Sequence, residues 1–186
     1  MLASNYMQRC LTLAGCHTDM VAMREERQFR RQDPHDAGKN LILLCSPKSN
    51  PTTQEFLSAI NQKYSLNWTF ERLPNGQFEV HTDGGRWASQ SYLQAAQIKA
   101  EGGFIEDGPF DDVAMVIKVP NPHNPRATIF IVAGVRGIGT WGAAYHLREN
   151  AKAISKRTKG RRFAMLIKVH YRAWRIETCG EAPVFF

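Results

Sequence analysis

The residues best suited to chemistry lie in TIFIVAGVRGIGTWGAAYHL, residues 128–147. An apolar run ends at Ala133, glycines follow at 134, 137, 139 and 142, and Thr140 stands where it can cap a following helix. The first turn of a helix has unpaired N–H groups and the positive end of the helix dipole, so it attracts phosphate or carboxylate. Glycine permits positive φ and lets a ligand approach the backbone. Arg136, inside the turn, can hold an anion through two parallel hydrogen bonds. Gly134, Arg136, Gly137, Gly139 and Thr140 are therefore expected to receive a phosphate-bearing, nucleotide-like ligand. The competing explanation is that the glycines only let the helix pack tightly on its sheet.

A second turn, Ser46-Pro47-Lys48-Ser49-Asn50, also follows an apolar run and precedes a helical pattern. In an open α/β sheet, ligands sit beyond the carboxyl ends of the strands. If the strands at 41–45 and 128–132 are parallel neighbours, Ser46, Lys48, Ser49 and Asn50 face Arg136 and Thr140 across a crevice. That gives a phosphate pocket with two cations. The plainer role for this turn is helix capping through Asn50.

Gly137-Ile138-Gly139-Thr140-Trp141-Gly142 matches GxGxxG, but a dinucleotide fingerprint follows its strand directly and has an acid about 20 residues on. Here the strand ends four residues earlier, and residues 157–162 are basic. A buried strand followed by Gly137-Ile138-Gly139-Thr140 resembles the GxGT part of the PGGxGTxxE motif of the LOG/SLOG group of Rossmann-like proteins. The resemblance covers about 15 residues and implies a Rossmann-like fold and a nucleotide or nucleotide-derived ligand. The family's proline and paired glycines are absent as such, and its glutamate would fall at Ala143. In the hydrolases of that group the glutamate belongs to the active site, so what the resemblance implies here is binding, not the same hydrolysis.

Catalytic groups are sparse. His123, between Asn121 and Asn124 in a Pro-Asn-rich loop, is expected at a strand's carboxyl end and so on the functional edge. Asp83, beside Gly84-Gly85, is the other candidate. Glu106, Asp107, Asp111 and Asp112 precede a strand and are expected at the opposite end, as a solvated loop. An enzyme acting on a nucleotide-derived ligand, a hydrolase or transferase, is the alternative to a binding or sensor domain. Cys10, Cys16, Cys45 and Cys179 match no zinc spacing, and Cys45 reads as a buried thiol without a paired base. No metal and no cofactor are expected.

Charge is unevenly placed. Arg148 to Arg175 carries ten basic residues against the single acid Glu149, whereas the whole chain is only +7. Trp141, Tyr145, Tyr171 and Trp174 interleave with it. Such a segment suits nucleic acid, an acidic partner or a second copy of the chain. Against that stands an ordinary solvated helix end.

The elements that must position these residues follow from the patterning. With 186 residues, 43% of them hydrophobic, the chain supports one full core. No apolar run reaches the roughly 18 residues of a membrane span. Leu13-Ala14-Gly15-Cys16 has the form of a lipoprotein cleavage box, but Arg9 interrupts the stretch before it, and a cytoplasmic location is expected. Residues 1–38 form an N-terminal arm without a clear strand, with a polar helix over 19–31. Strands are expected at 40–45, 68–73, 77–81, 113–119, 128–132, 163–171 and 174–176, and helices at 52–63, 87–100 and 140–153. Asn75-Gly76 marks a hairpin between the second and third strands. The alternation predicts a Rossmann-like α/β domain over residues 39–186, its open sheet mostly parallel, with helices on both faces and an inserted β-hairpin.

Overall fold

The computed structural model describes residues 21–24, 40–104 and 108–185. In chain order the elements are β1 (Val21–Arg24), β2 (Asn40–Leu44), α1 (Pro51–Tyr64), β3 (Thr69–Arg72), β4 (Phe78–Thr82), β5 (Gly85–Ala88), α2 (Ser91–Ala100), β6 (Pro109–Asn121), β7 (Asn124–Gly134), α3 (Gly137–Thr158), β8 (Phe163–Arg172) and β9 (Arg175–Phe185).

Six strands form one sheet in the order β1-β2-β7-β6-β8-β9. β1 and β2 are parallel, as are β2 and β7, with Leu41 opposite Ile129 and Leu44 opposite Val132. From β7 onward each pair is antiparallel, β7 with β6, β6 with β8 and β8 with β9. The expected mostly parallel, Rossmann-like sheet is therefore wrong. Its error lies in the connections. Asn121 pairs with Asn124, so the proline-rich segment is a tight hairpin turn rather than a crossover loop. Ala173 and Trp174 both have positive φ, at 46° and 60°, and fold β8 back onto β9. Two-residue hairpin turns favour Asn-Gly or Gly because positive φ strains other residues. Ala-Trp carries no such signal, and β9 was expected as only a three-residue strand.

The inserted hairpin is instead a three-stranded antiparallel sheet, β3-β4-β5, with Gly76 at φ +81° in the first turn as Asn75-Gly76 predicts. The expected helix at 87–100 begins only at Ser91, because Gly85–Ala88 pairs with β4. In the arm, Val21–Arg24 is a strand on the edge of the main sheet, where a helix was expected. Edge pairing outweighs the weak local preference for helix there. The rest of the arm lies outside the described residues.

Alternation along the strands builds two cores. Leu41 and Leu43, Met115 and Ile117, Ile129 and Ile131, and Ala164 and Leu166 face α1 and the three-stranded sheet, meeting Phe56, Leu57, Ile60, Trp68 and Val80. The neighbours Ile42 and Leu44, Ala114 and Val116, Met165 and Ile167 face α3 and meet Ala143, Ala144, Leu147 and Ile154. No helix among the described residues is long and apolar enough to cross a membrane.

Gly142 shows how closely α3 lies on the sheet. A Cβ there would strike the side chain of Val169, a stiff β-branched residue on β8. Gly142→Ala should therefore destabilise the protein by about 1–3 kcal/mol, although Ala in a helix interior normally gains about 1 kcal/mol over Gly. A higher urea midpoint for this variant would refute the close packing.

Candidate functional site

Because β2 and β7 are parallel neighbours, the turns that follow them emerge side by side. They line one cavity of about 210 Å³ with Cys45, Ser46, Lys48 and Ser49 on one side, Gly134 to Gly137 and Thr140 on the other, and Tyr92 from α2 at the rim. Seven of the nine expected ligand-binding residues meet here. Arg136 lays its guanidinium over the Tyr92 ring, 4.9 Å from the centroid, and Lys48 lies 5.4 Å from the Phe78 ring centroid. The cavity lining contains no carboxylate.

The other two expected residues have structural positions. Asn50 is fully buried. Its amide donates to Leu44 O at 3.0 Å, and its side-chain oxygen accepts from Thr52 N at 3.2 Å, capping α1. Gly139 lies under α3, where a Cβ would stand 2.5 Å from Asp112 Oδ2. Thr140 lines the cavity, but it is not the cap of α3. Its hydroxyl accepts from Gly134 N at 2.9 Å and closes the turn internally. A Cβ on Gly134 would collide with the Thr140 and Gly139 backbone. None of glycines 134, 137 and 139 has positive φ. Gly134, Gly139 and Gly142 are thus glycine for packing, as the competing explanation held. Gly137 is different: it is exposed, and a Cβ there meets nothing within 4 Å.

The cap of α3 comes from β6. Asp112 is completely buried, and its Oδ2 accepts from Arg136 N at 3.1 Å and Gly139 N at 2.9 Å. A carboxylate from another strand occupies the place of an N-cap side chain and satisfies two of the orphan amides. Oδ1 has no hydrogen-bond partner among the described residues. Burial raises the Asp112 pKa to about 6, against the opposing pull of the nearby Ser89 hydroxyl and the amides of Val113, Arg136 and Gly139. The Ser89 hydroxyl is engaged with Ser91 Oγ at 3.2 Å and Asp111 O at 3.4 Å. Part of the helix N-terminus expected to seat a ligand is therefore already filled by the protein's own anion. Gly137, the first residue of α3, is the exposed residue of that turn.

The expectation that Asp112 lies at the far end of the sheet is wrong for the same reason as the fold. β6 runs antiparallel to β7, so its start, not its end, adjoins the glycine turn. The same reversal carries His123 away. It lies in the β6–β7 turn, at the start of β7, about 35 Å along that strand from Gly134. There its ring meets Phe56 edge-on at 5.2 Å. Asp83 lies in the three-stranded sheet's last turn, where Asn67 donates to it at 2.9 Å. The two candidate catalytic residues meet neither each other nor the cavity. Tyr92 and Asp112 are the residues the sequence reading did not bring to the site. Recognising Pro122-His123 as a hairpin turn would have brought Asp112 to the site.

α2 is fastened to this edge through Asp111. Ser91 Oγ donates to Asp111 O at 2.8 Å, Gln94 Nε2 to Asp111 Oδ2 at 3.2 Å, and Asp111 N to Gln94 Oε1 at 2.8 Å. His170 closes the outer side, with Nδ1 2.8 Å from Asp111 and Nε2 3.2 Å from Glu177. Cys45 borders the cavity at φ 75°. Cys179 is half-buried against Gly142 O, and burial raises its thiol to about 11, so it is not a reactive thiolate. No cluster of His, Cys, Asp or Glu among the described residues could hold a metal ion.

No family model, curated protein or solved structure matches this chain.

The Asp112 geometry has a pH signature. A carboxyl raised from 3.8 to about 6 on folding holds more protons folded than unfolded between those values. Stability from this group is present below the lower value and is lost as pH rises through the upper one, by on the order of 3 kcal/mol. Asp112→Asn should remove that loss, so its unfolding free energy relative to wild type should climb between about pH 4 and pH 7. A constant difference between the two proteins across that range would show that Asp112 titrates normally.

Proposed function

We propose that the crevice between Cys45–Ser49 and Gly134–Thr140 binds a phosphate-bearing, nucleotide-like ligand. The observation that carries this reading is the convergence of Lys48, Arg136 and the exposed Gly137 on one cavity whose lining has no acid. Lys48 and Arg136 supply charge, and Arg136 can in addition grip two anionic oxygens at once. Ser46 and Ser49 add hydroxyls at the opposite wall. The exposed Tyr92 ring at the rim offers a face on which a base can stack. A cavity of about 210 Å³ suits one or two phosphates, with the remainder of the ligand running out along α2. The resemblance of Gly137–Thr140 to the GxGT segment of LOG/SLOG proteins is a reason to begin with nucleotides. The role is binding or sensing, since His123 and Asp83 both lie outside the cavity.

The basic segment 148–175 supports a second reading only in part, because it does not form one face. Arg157 pairs with Glu181, Arg148 with Glu149 and Arg172 with Glu177, and Lys168 lies over the Trp87 ring. Of the segment, Arg161 and Arg162 lie at the opposite end of the sheet from the crevice. Lys118, Arg161 and Arg162 line a groove of about 300 Å³ there, with Lys63 of α1 reaching Pro122 O nearby. Non-specific contact with nucleic-acid phosphates would use this edge.

A panel of mono- and dinucleotides tests the first reading by thermal shift. At about 100 times its dissociation constant, a ligand adds about 2.7 kcal/mol and should raise Tm by about 5–10 °C. Lys48→Ala and Arg136→Ala should each weaken that ligand about tenfold or more without lowering the ligand-free Tm. Gly139 is not a useful test position, since any side chain there displaces Asp112. A panel without a single shift overturns the proposal. For the second reading, affinity for an oligonucleotide should fall steeply with salt and be lost in Lys118→Glu with Arg161→Glu.

A further inference from the structure

The cavity's two cations do not stand alone. Behind the turn, and outside the cavity lining, lies the buried carboxyl of Asp112. Its Oδ2 holds the amides of residues 136 and 139, and Gly137, an exposed residue, belongs to the same helical turn. An anion seated at Gly137 N–H therefore shares one turn of backbone with a second, completely buried anion. Like charges at that separation disfavour each other's ionised form. Oδ1, buried and without a hydrogen-bond partner among the described residues, has a lone pair to accept a proton.

We propose that Asp112 sets the charge this pocket accepts: an anion bound at the Gly137 amide is taken up together with one proton from solvent, which settles on Asp112 Oδ1. The inference rests on the anion-binding reading above. In the step, Oδ1 forms an O–H bond with a proton released by hydronium or a buffer acid. Oδ2 stays an acceptor for both amides, so the cap on α3 survives, and the Ser89 hydroxyl is a neighbour of the carboxyl. The neutral carboxyl leaves Lys48 and Arg136 free to balance the ligand. A carboxyl already raised to about 6 by burial needs only a modest further push to be protonated at neutral pH.

The other charged groups facing Asp112 are few. Arg136 comes from the turn, Asp111 is its neighbour on β6, and Tyr171 approaches from β8. His170 is one step further, held between Asp111 and Glu177. His146, further along α3, is tied to Glu181 and Asn150. His170 is therefore the group whose own titration must be separated from that of Asp112.

Sulfate is a suitable probe because it does not titrate near neutral pH. Its affinity for the full chain, read by thermal shift at constant ionic strength, should be about tenfold tighter at about pH 5.5 than at about pH 7.5. Arg136→Ala should weaken it at both. In Asp112→Asn the affinity should be high and the same at both pH values, and in His170→Gln the wild-type dependence should persist. Asp112→Ser replaces Asp112→Asn if that variant does not fold, and the wild-type and His170→Gln measurements stand without either. Equal wild-type affinity at the two pH values, with binding still lost in Arg136→Ala, overturns the proton coupling and leaves the binding reading intact. A pH dependence that survives in the Asp112 variants, or vanishes in His170→Gln, assigns the proton elsewhere and also overturns it. Sulfate binding that Arg136→Ala does not weaken, or no binding at all, removes both.

Discussion

The turn from β7 into α3 depends on one buried carboxylate. Asp112 reaches from the neighbouring antiparallel strand to the amides of Arg136 and Gly139 and so fixes where α3 begins. Around it every close contact is fitted. Gly139 makes room for Oδ2, Gly134 lets the chain pass beneath Thr140, and Thr140 returns a hydrogen bond to Gly134 N–H. An ionised group in such a place costs solvation energy that two amide bonds only partly offset, which is why its proton affinity is raised. The helix start is well ordered at the expense of a group poised near neutrality.

That constraint also changes the meaning of the glycines. A glycine-rich strand-to-helix turn is commonly an anion site because its amides are unclaimed. In this turn the protein supplies most of the acceptors itself: Thr140 Oγ1 for Gly134, Val113 O for Val135, and Asp112 for Arg136 and Gly139. What is left is narrow: the amide of Gly137, an exposed residue in a cavity that Lys48 and Arg136 also line. Binding there would draw on side-chain charge more than on the helix dipole.

The local elements were legible in the sequence, and their directions were not. β2, α1, the Asn75-Gly76 hairpin and the runs behind β7 and β8 follow from periodicity and turn residues, because those signals are short-range. The pairing of β2 with β7, which brings Ser46, Lys48 and Ser49 to Arg136, enters the sequence reading only as a condition, because it spans more than 80 residues. The polarity of β6 and β9 depends on two hairpin turns, Pro122-His123 and Ala173-Trp174, that lack the glycine such turns usually show. One misread turn reversed β6 and exchanged the places of Asp112 and His123. Tyr92 came to the rim because α2 is pinned by Asp111, a tertiary contact with no signature along the chain.

β7 is the line along which the sheet changes from parallel to antiparallel pairing. On one side lie two hairpins, β6–β7 and β8–β9, joined by the β6–β8 pair across 45 to 63 residues. On the other, β2 must find β7 across more than 80 residues, and β1 adds only beyond it. Contacts that close long loops form late and slow folding, because chain entropy is lost before they repay it. The β6–β9 half can therefore form its ladders first, and the wall carrying Ser46 and Lys48 is the part that docks last. Half of the cavity thus belongs to an early-folding unit and half to a late one, so anything that bridges the two walls would also act as a clasp on the final step of folding.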